Sequence, residues 1–172
     1  MLLAKGRYHG QLYRALNPVY ARDPLSGAGA ARYGGRFNPV GLPALYTALT
    51  PATALREANQ VGDLQPTVLV AYRADIAPLF DTRDTAALSA YGADAAMLAH
   101  AGWRAAMLAG DAVPTQDMAR ALIADGYAGL LVRSFARGMT EADLNVVLWR
   151  WTSDASTLRV IDDDGRLTRM SL

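Results

Sequence analysis

Arg32 to Ala58 reads RYGGRFNPVGLPALYTALTPATALREA and packs a glycine pair, an arginine, an aromatic, an asparagine, a strand, a capped helix and a glutamate into one run. Gly34-Gly35 permits backbone conformations closed to residues with a Cβ, which suits a sharp turn or a close approach to a ligand. Arg36 follows at once, with a planar fork of donors matched to phosphate or carboxylate. Asn38-Pro39 and Gly41 mark a loop, and Leu42 to Ala48 reads as a short strand ending near Tyr46. Thr50-Pro51 pairs an N-cap with a proline at the first helical position, so a helix starts there. Glu57 falls about two turns into it. A glycine loop, a cation, an aromatic ring and a carboxylate thus surround one strand–helix corner. Spacing alone fits an ordinary turn with a surface arginine and a surface glutamate equally well.

Upstream of that corner, Arg7 to Leu16 reads as a first strand carrying Tyr13 and Arg14. Asn17 to Ala31 is rich in Pro, Gly, Ala and Asp without a period, and reads as a loop. Its Gly27-Ala28-Gly29 fails as a dinucleotide fingerprint: Arg32 holds the third glycine position, and no clear hydrophobic strand leads in. Downstream, Thr67 to Ala74 is a β-branched and apolar strand closed by Pro78. Thr82 to Gly110 reads as two helices broken near Gly92, with Ala99, Trp103 and Met107 at core spacing. Thr115 is placed as the cap of a further helix, with Asp117 in its first turn and Gly126 at its end. Ala128 to Arg133 is a strand delivering Ser134, and Asp143 to Trp151 a longer one. Leu158 to Ile161 and Arg166 to Met170 flank Asp163-Asp164-Gly165 as a hairpin. Interspersed strands and helices, with strands gathering toward the end, favour an α+β fold. The expectation is one domain over residues 1–172 with a single mixed, largely antiparallel sheet and helices packed around it.

Composition excludes several classes. A net charge of +1, with 19% charged residues, gives no field that would favour a nucleic-acid or membrane surface. The absence of cysteine removes disulfides, thiolate nucleophiles and zinc–cysteine sites. MLLAKGRYHG lacks the apolar run of a signal peptide, and nothing reaches the ~20 apolar residues of a membrane span. A cytoplasmic protein is the expectation. His9 and His100 are far apart and lack metal-ligand spacing. Asp162 to Gly165 lacks the alternation and downstream glutamate of a calcium loop. No G-x-S-x-G elbow surrounds Ser134, which sets serine hydrolysis aside.

Gly34-Gly35-Arg36-Phe37-Asn38, Gly41, Tyr46 and Glu57 resemble the core pattern of the RES domain family, GGRWN…G…Y…E, with Phe37 where that family most often has tryptophan. Tyr13-Arg14-Ala15, Thr115-Gln116, Ser134 after Gly129 to Arg133, and Asn145-Val146-Val147-Leu148 extend the likeness across roughly residues 12–150. The resemblance implies a fold similar to ADP-ribosyltransferases of the diphtheria-toxin type. It also implies action on NAD⁺ as the toxin of a toxin–antitoxin pair, with a helical, DNA-binding Xre-type antitoxin whose C-terminal part blocks the site. NAD⁺ is then substrate, with no resident cofactor. Carried over by position, Glu57, Arg36 and Ser134 become the candidate catalytic set, and Arg14, Tyr46, Gly35 and Asn145 bind substrate.

The chemistry of these side chains is compatible. Breaking an N-glycosidic bond builds positive charge on the ribose, which a carboxylate such as Glu57 stabilises. Arg36 and Arg14 suit the pyrophosphate, Tyr46 can stack on nicotinamide, and Ser134 can bond a carboxamide, a phosphate or an acceptor. Hydrolysis or phosphorolysis of NAD⁺ is the leading expectation. A protein ADP-ribosyltransferase using the same site, or a non-catalytic nucleotide-binding or partner-binding module, are the alternatives.

Overall fold

Thr50 lies just past a strand and starts a helix in the computed structural model, which describes residues 3–59 and 65–167. Its hydroxyl accepts from the Thr53 amide at 3.1 Å, and Pro51 occupies the first helical position. The strand before it is β2 (Leu45–Ala48) and the helix is α2 (Pro51–Ala58). β1 (Tyr8–Leu16) and β3 (Val68–Ile76) pair antiparallel along their whole length, from Tyr8 opposite Ile76 to Leu16 opposite Val68. β3 alternates, burying Val70, Tyr72, Ala74 and Ile76, as expected of a strand with one face on the core.

The remaining strands are β4 (Leu79–Asp81), β5 (Gly129–Arg133), β6 (Leu144–Leu148), β7 (Thr152–Ser153) and β8 (Ser156–Val160). They complete an eight-stranded sheet in the order β4-β5-β6-β2-β1-β3-β8-β7. Every pairing is antiparallel except β4 with β5. The expected α+β class with a mixed, largely antiparallel sheet is therefore the observed one. β6 is buried on both faces. Val146 and Leu148 pack with Leu12, Leu45 and Tyr72, whereas Val147 packs with Phe37, Phe80, Leu122 and Leu130.

Helices α3 (Thr85–Ala90), α4 (Ala95–Ala99) and α6 (Pro114–Ala124) cover the second of those faces, and α5 (Trp103–Ala109) follows α4 with none of its residues buried. Asp84 and Asp94 cap α3 and α4 by accepting from backbone amides. Three helices, not two, therefore occupy Thr82 to Gly110, because a second break follows Ala99. Ala99 is exposed, and Trp103 and Met107 are half-buried, so this trio is not core. Thr115 does not cap α6. Val113 holds that position, and the Thr115 hydroxyl is directed elsewhere. Gly126 does end the helix, with φ +90°.

Other boundaries moved. The loop expected at Asn17 to Ala31 contains a 3₁₀ turn (Pro18–Tyr20) and the start of α1 (Ala28–Tyr33), whose alanine-glycine sequence has no apolar period to reveal it. The long strand expected over Asp143 to Trp151 is only β6, and the C-terminal hairpin is β7–β8, one step earlier than expected. Asp163-Asp164 is a turn, but Arg166 and Leu167 also lie in a turn, not a strand. The rest of that expected strand lies outside the described residues.

Candidate active site

A cavity of about 430 Å³ opens between α2, the Gly34–Phe37 loop, β1, β2, β6 and the start of α5. That volume lies within the range of small-molecule sites. Sheet register assembles one wall. Tyr46 is paired with Val147, and Ala48 with Asn145, which is in turn paired with Val132. All five line the cavity.

Glu57 enters from the last turn of α2. Its Oε1 accepts from the Ser134 hydroxyl and from Asn145 Nδ2 at 2.5 Å. Two strands therefore aim one carboxylate. The Asn145 orientation is fixed by this contact, since the flipped amide would set two acceptors together. It leaves Asn145 Oδ1 buried without a hydrogen-bond partner. A buried polar atom without a partner is costly, and such atoms call for an explanation such as a ligand donor. Ser134 is itself buried and stands behind Glu57 instead of lining the cavity. Its oxygen also accepts from the Ala136 amide.

Arg36 faces the same cavity from the loop. Its Nη1 donates to the carbonyls of Leu98 and His100, both at 2.8 Å, at the end of α4. The guanidinium lies 4.5 Å from the Phe135 ring centroid and 5.7 Å from that of Trp103, distances typical of cation–π contacts. Burial pulls its pKa below the usual arginine value, while Glu57 and then Tyr46 act in the opposite direction.

The loop carrying Arg36 is tied down residue by residue. The Gly35 carbonyl accepts from Gln116 Nε2 at 2.9 Å, and the Arg36 carbonyl from the Thr115 hydroxyl at 2.6 Å. Phe37 donates its amide to the Tyr46 hydroxyl, and its carbonyl accepts from Trp149 Nε1. Asn38 is fully buried. Its Nδ2 donates to the carbonyls of Ala30 and Leu42, and its Oδ1 accepts from the Tyr46 hydroxyl at 2.7 Å. Tyr46 therefore spends its hydroxyl on the loop while its ring lines the cavity, and burial drives the phenol's pKa well above its ordinary value. Gly35 must lack a side chain, because a Cβ there would strike the Tyr46 hydroxyl and come within 2.6 Å of Asn38 Oδ1.

Arg14 lines the cavity from β1. Its Nη1 donates to the carbonyls of Pro24 and Ser26, at 3.3 and 3.2 Å, and burial lowers its pKa. All the sequence-derived residues except Ser134 thus line one cavity. Sequence reasoning read Asn38 as a loop mark and a member of the family pattern without a place in the site, and placed Thr115 as a cap and Trp103 in the core. The Thr115-Gln116 pair was visible, but its purpose depends on where α6 packs. Among the described residues, no group of three metal-ligating side chains occurs.

The model of the RES domain family matches residues 11–170 of the chain. Among solved structures, the chain is similar to one in the crystal structure of the M. tuberculosis MbcT–MbcA toxin–antitoxin complex. The TM-score is 0.59 at 24% identity, covering 91% of this chain and 83% of that one. At that identity the likeness is one of fold. No curated protein matches the sequence.

Proposed function

The chain belongs to the RES domain family, and on that footing we propose that it cleaves NAD⁺ at the bond between nicotinamide and ribose. The observation that carries the reading is Glu57, held by Ser134 and Asn145 in a cavity that also presents Arg36. When the glycosidic bond breaks, its electron pair leaves with nicotinamide, which departs neutral, so no strong general acid is needed. The ribose becomes oxocarbenium-like, and the Glu57 carboxylate stabilises that charge or holds a ribose hydroxyl. Water or phosphate then bonds to the anomeric carbon, and water gives up a proton in doing so.

Arg36 suits the pyrophosphate because carbonyls and rings hold its charged guanidinium in place before substrate arrives. Arg14, which lines the same cavity, is the second phosphate contact. Asn145 Oδ1 is the acceptor awaiting a donor, either a ribose hydroxyl or the nicotinamide carboxamide. Ser134 acts by orienting Glu57, and the Tyr46 ring offers a face for the departing base.

An enzyme that drains NAD⁺ is toxic to its own cytoplasm, so the protein is the toxin of a toxin–antitoxin pair, restrained by an Xre-type antitoxin. The fold it shares with a chain of the MbcT–MbcA complex supports this. The test is nicotinamide release from NAD⁺ by purified protein, in phosphate and phosphate-free buffer. Faster release with phosphate identifies a phosphorylase, and equal release a glycohydrolase. No release in either buffer rejects the reading.

A further inference from the structure

Asp143 closes the turn before β6 and spends its two carboxylate oxygens on different parts of the fold. Oδ2 accepts from the Thr140 amide and hydroxyl, both at 2.9 Å, within the turn itself. Oδ1 accepts from the Thr53 hydroxyl at 2.8 Å, across 90 residues of chain, in α2. Thr53 is fully buried. An ionised carboxylate only accepts, so the Thr53 hydroxyl proton is committed to Asp143. The Thr50 hydroxyl, 2.8 Å from that of Thr53, must then be the donor between the two. The cap of α2 thereby starts a one-way chain of hydrogen bonds, from Thr50 to Thr53 to Asp143.

The same residue meets every member of the carboxylate site. Thr53 and Glu57 stand four residues apart in α2, which places them on one face a turn apart. The backbone carbonyl of Asp143 accepts from the Ser134 amide at 2.8 Å. Asn145 follows in β6, two residues on. The Leu49 amide, bonded to the Leu144 carbonyl at 2.9 Å, secures the chain before the cap. Asp143 secures the helix itself, one turn short of Glu57. The helix that brings the carboxylate and the strands that bring its donors are therefore pinned together at this residue. Hydrogen bonds weaken steeply once alignment is lost, so a small shift of α2 would loosen both contacts on Glu57 Oε1.

We propose that Asp143 is a positioning residue for the cleavage step: through Thr53 it sets where Glu57 stands against Ser134 and Asn145, and so where the carboxylate meets the ribose. The inference rests on the reading of Glu57 as the group that stabilises charge on that ribose. Neither Asp143 nor Thr53 lines the cavity, so both act through Glu57 and not on the substrate. An asparagine cannot take over the role. Both oxygens of Asp143 face donors, and an amide would turn its own N–H groups toward one set of them.

The experiment compares the wild type with Asp143→Asn, Thr53→Val and Thr53→Ser, at a temperature where melts show every chain folded. In nicotinamide release, Asp143→Asn and Thr53→Val are expected to lower kcat by about ten- to a hundredfold. KM for NAD⁺ changes little, because Arg36 and Arg14 are untouched, and Thr53→Ser, which keeps the hydroxyl, turns over like the wild type. In a Glu57→Gln background Thr53→Val costs nothing further, since it acts only through the carboxylate. A second readout needs no turnover: the side-chain amide resonances of Asn145, assigned by their loss in Asn145→Ala. The bond to Glu57 draws these protons downfield. Asp143→Asn and Thr53→Val move them upfield, and Thr53→Ser leaves them in place. Asn145 resonances that stay put in both variants overturn the proposal. So does a Thr53→Val chain that keeps the wild-type kcat, or one that loses rate equally with and without the Glu57 carboxylate. Resonances that move as expected, in a chain that releases no nicotinamide, uphold the positioning and reject the cleavage reading instead.

Discussion

The two poles of the cavity are built in opposite ways. Glu57 is aimed by side chains: a serine after β5 and an asparagine in β6, brought together by strand register. Arg36 is aimed mainly through the backbone. Its own carbonyl is gripped by Thr115, its neighbour's by Gln116, and its guanidinium grips the carbonyls of Leu98 and His100. The carboxylate pole therefore depends on a few replaceable atoms, whereas the arginine pole depends on the helical layer being in place. A side-chain substitution should cost function at the first pole, and stability as well as function at the second.

The sharpest way to break this contrast is Glu57→Gln, which keeps shape and removes charge. We expect a loss of about a hundred- to a thousandfold in kcat with an unchanged melting temperature. Next comes Gly35→Ala. The added Cβ collides with the Tyr46 hydroxyl and Asn38, so overpacking of about 1–3 kcal/mol should lower the denaturation midpoint along with activity. Thr115→Val removes the donor to the Arg36 carbonyl while keeping volume. It should cost about 1–2 kcal/mol in stability, and raise KM more than it lowers kcat, with rescue by Thr115→Ser. If it reduced kcat alone, the arginine pole would not be a positioning device.

The smallest effect concerns pH. Asp143 accepts from the Thr140 amide and hydroxyl and from Thr53, linking the turn before β6 to α2. Those bonds, led by the Thr140 amide, hold its carboxyl below the usual carboxylate value. A folded value below the unfolded one stabilises the fold above the ordinary carboxylate pKa of about 4. That contribution is lost as pH falls through the folded value. Urea unfolding should therefore show Asp143→Asn weaker than wild type near neutrality, with the two converging in acid.

The same contrast explains what the sequence disclosed. Apolar patterning and helix capping are local, so β1, β2, the Thr50 cap and the placement of Glu57 were legible from residues 32–58 and their flanks. The family pattern then marked Ser134 and Asn145, whose meeting with Glu57 spans 77 and 88 residues of chain. What stayed hidden depended on packing between helices. Trp103 sits at helical spacing that suits a core, but α5 lies at the cavity edge and leaves it half-exposed beside Arg36. Thr115 has the composition of a cap, but Val113-Pro114 starts the helix and turns its hydroxyl onto the loop. α1 escaped because its six residues, Ala-Gly-Ala-Ala-Arg-Tyr, are too few and too small at their start to show an apolar period. The hairpin shifted because Ser153 to Ser156 turns as tightly as the aspartate run beyond it.

The most direct test of the account is nicotinamide release from NAD⁺ by the wild type beside Glu57→Gln, in phosphate and phosphate-free buffer, with folding checked by thermal melt. The account predicts release by the wild type in at least one buffer and a loss of about a hundredfold or more in a variant that melts like the wild type. A silent wild type in both buffers, or a Glu57→Gln protein that matches its rate, would contradict it.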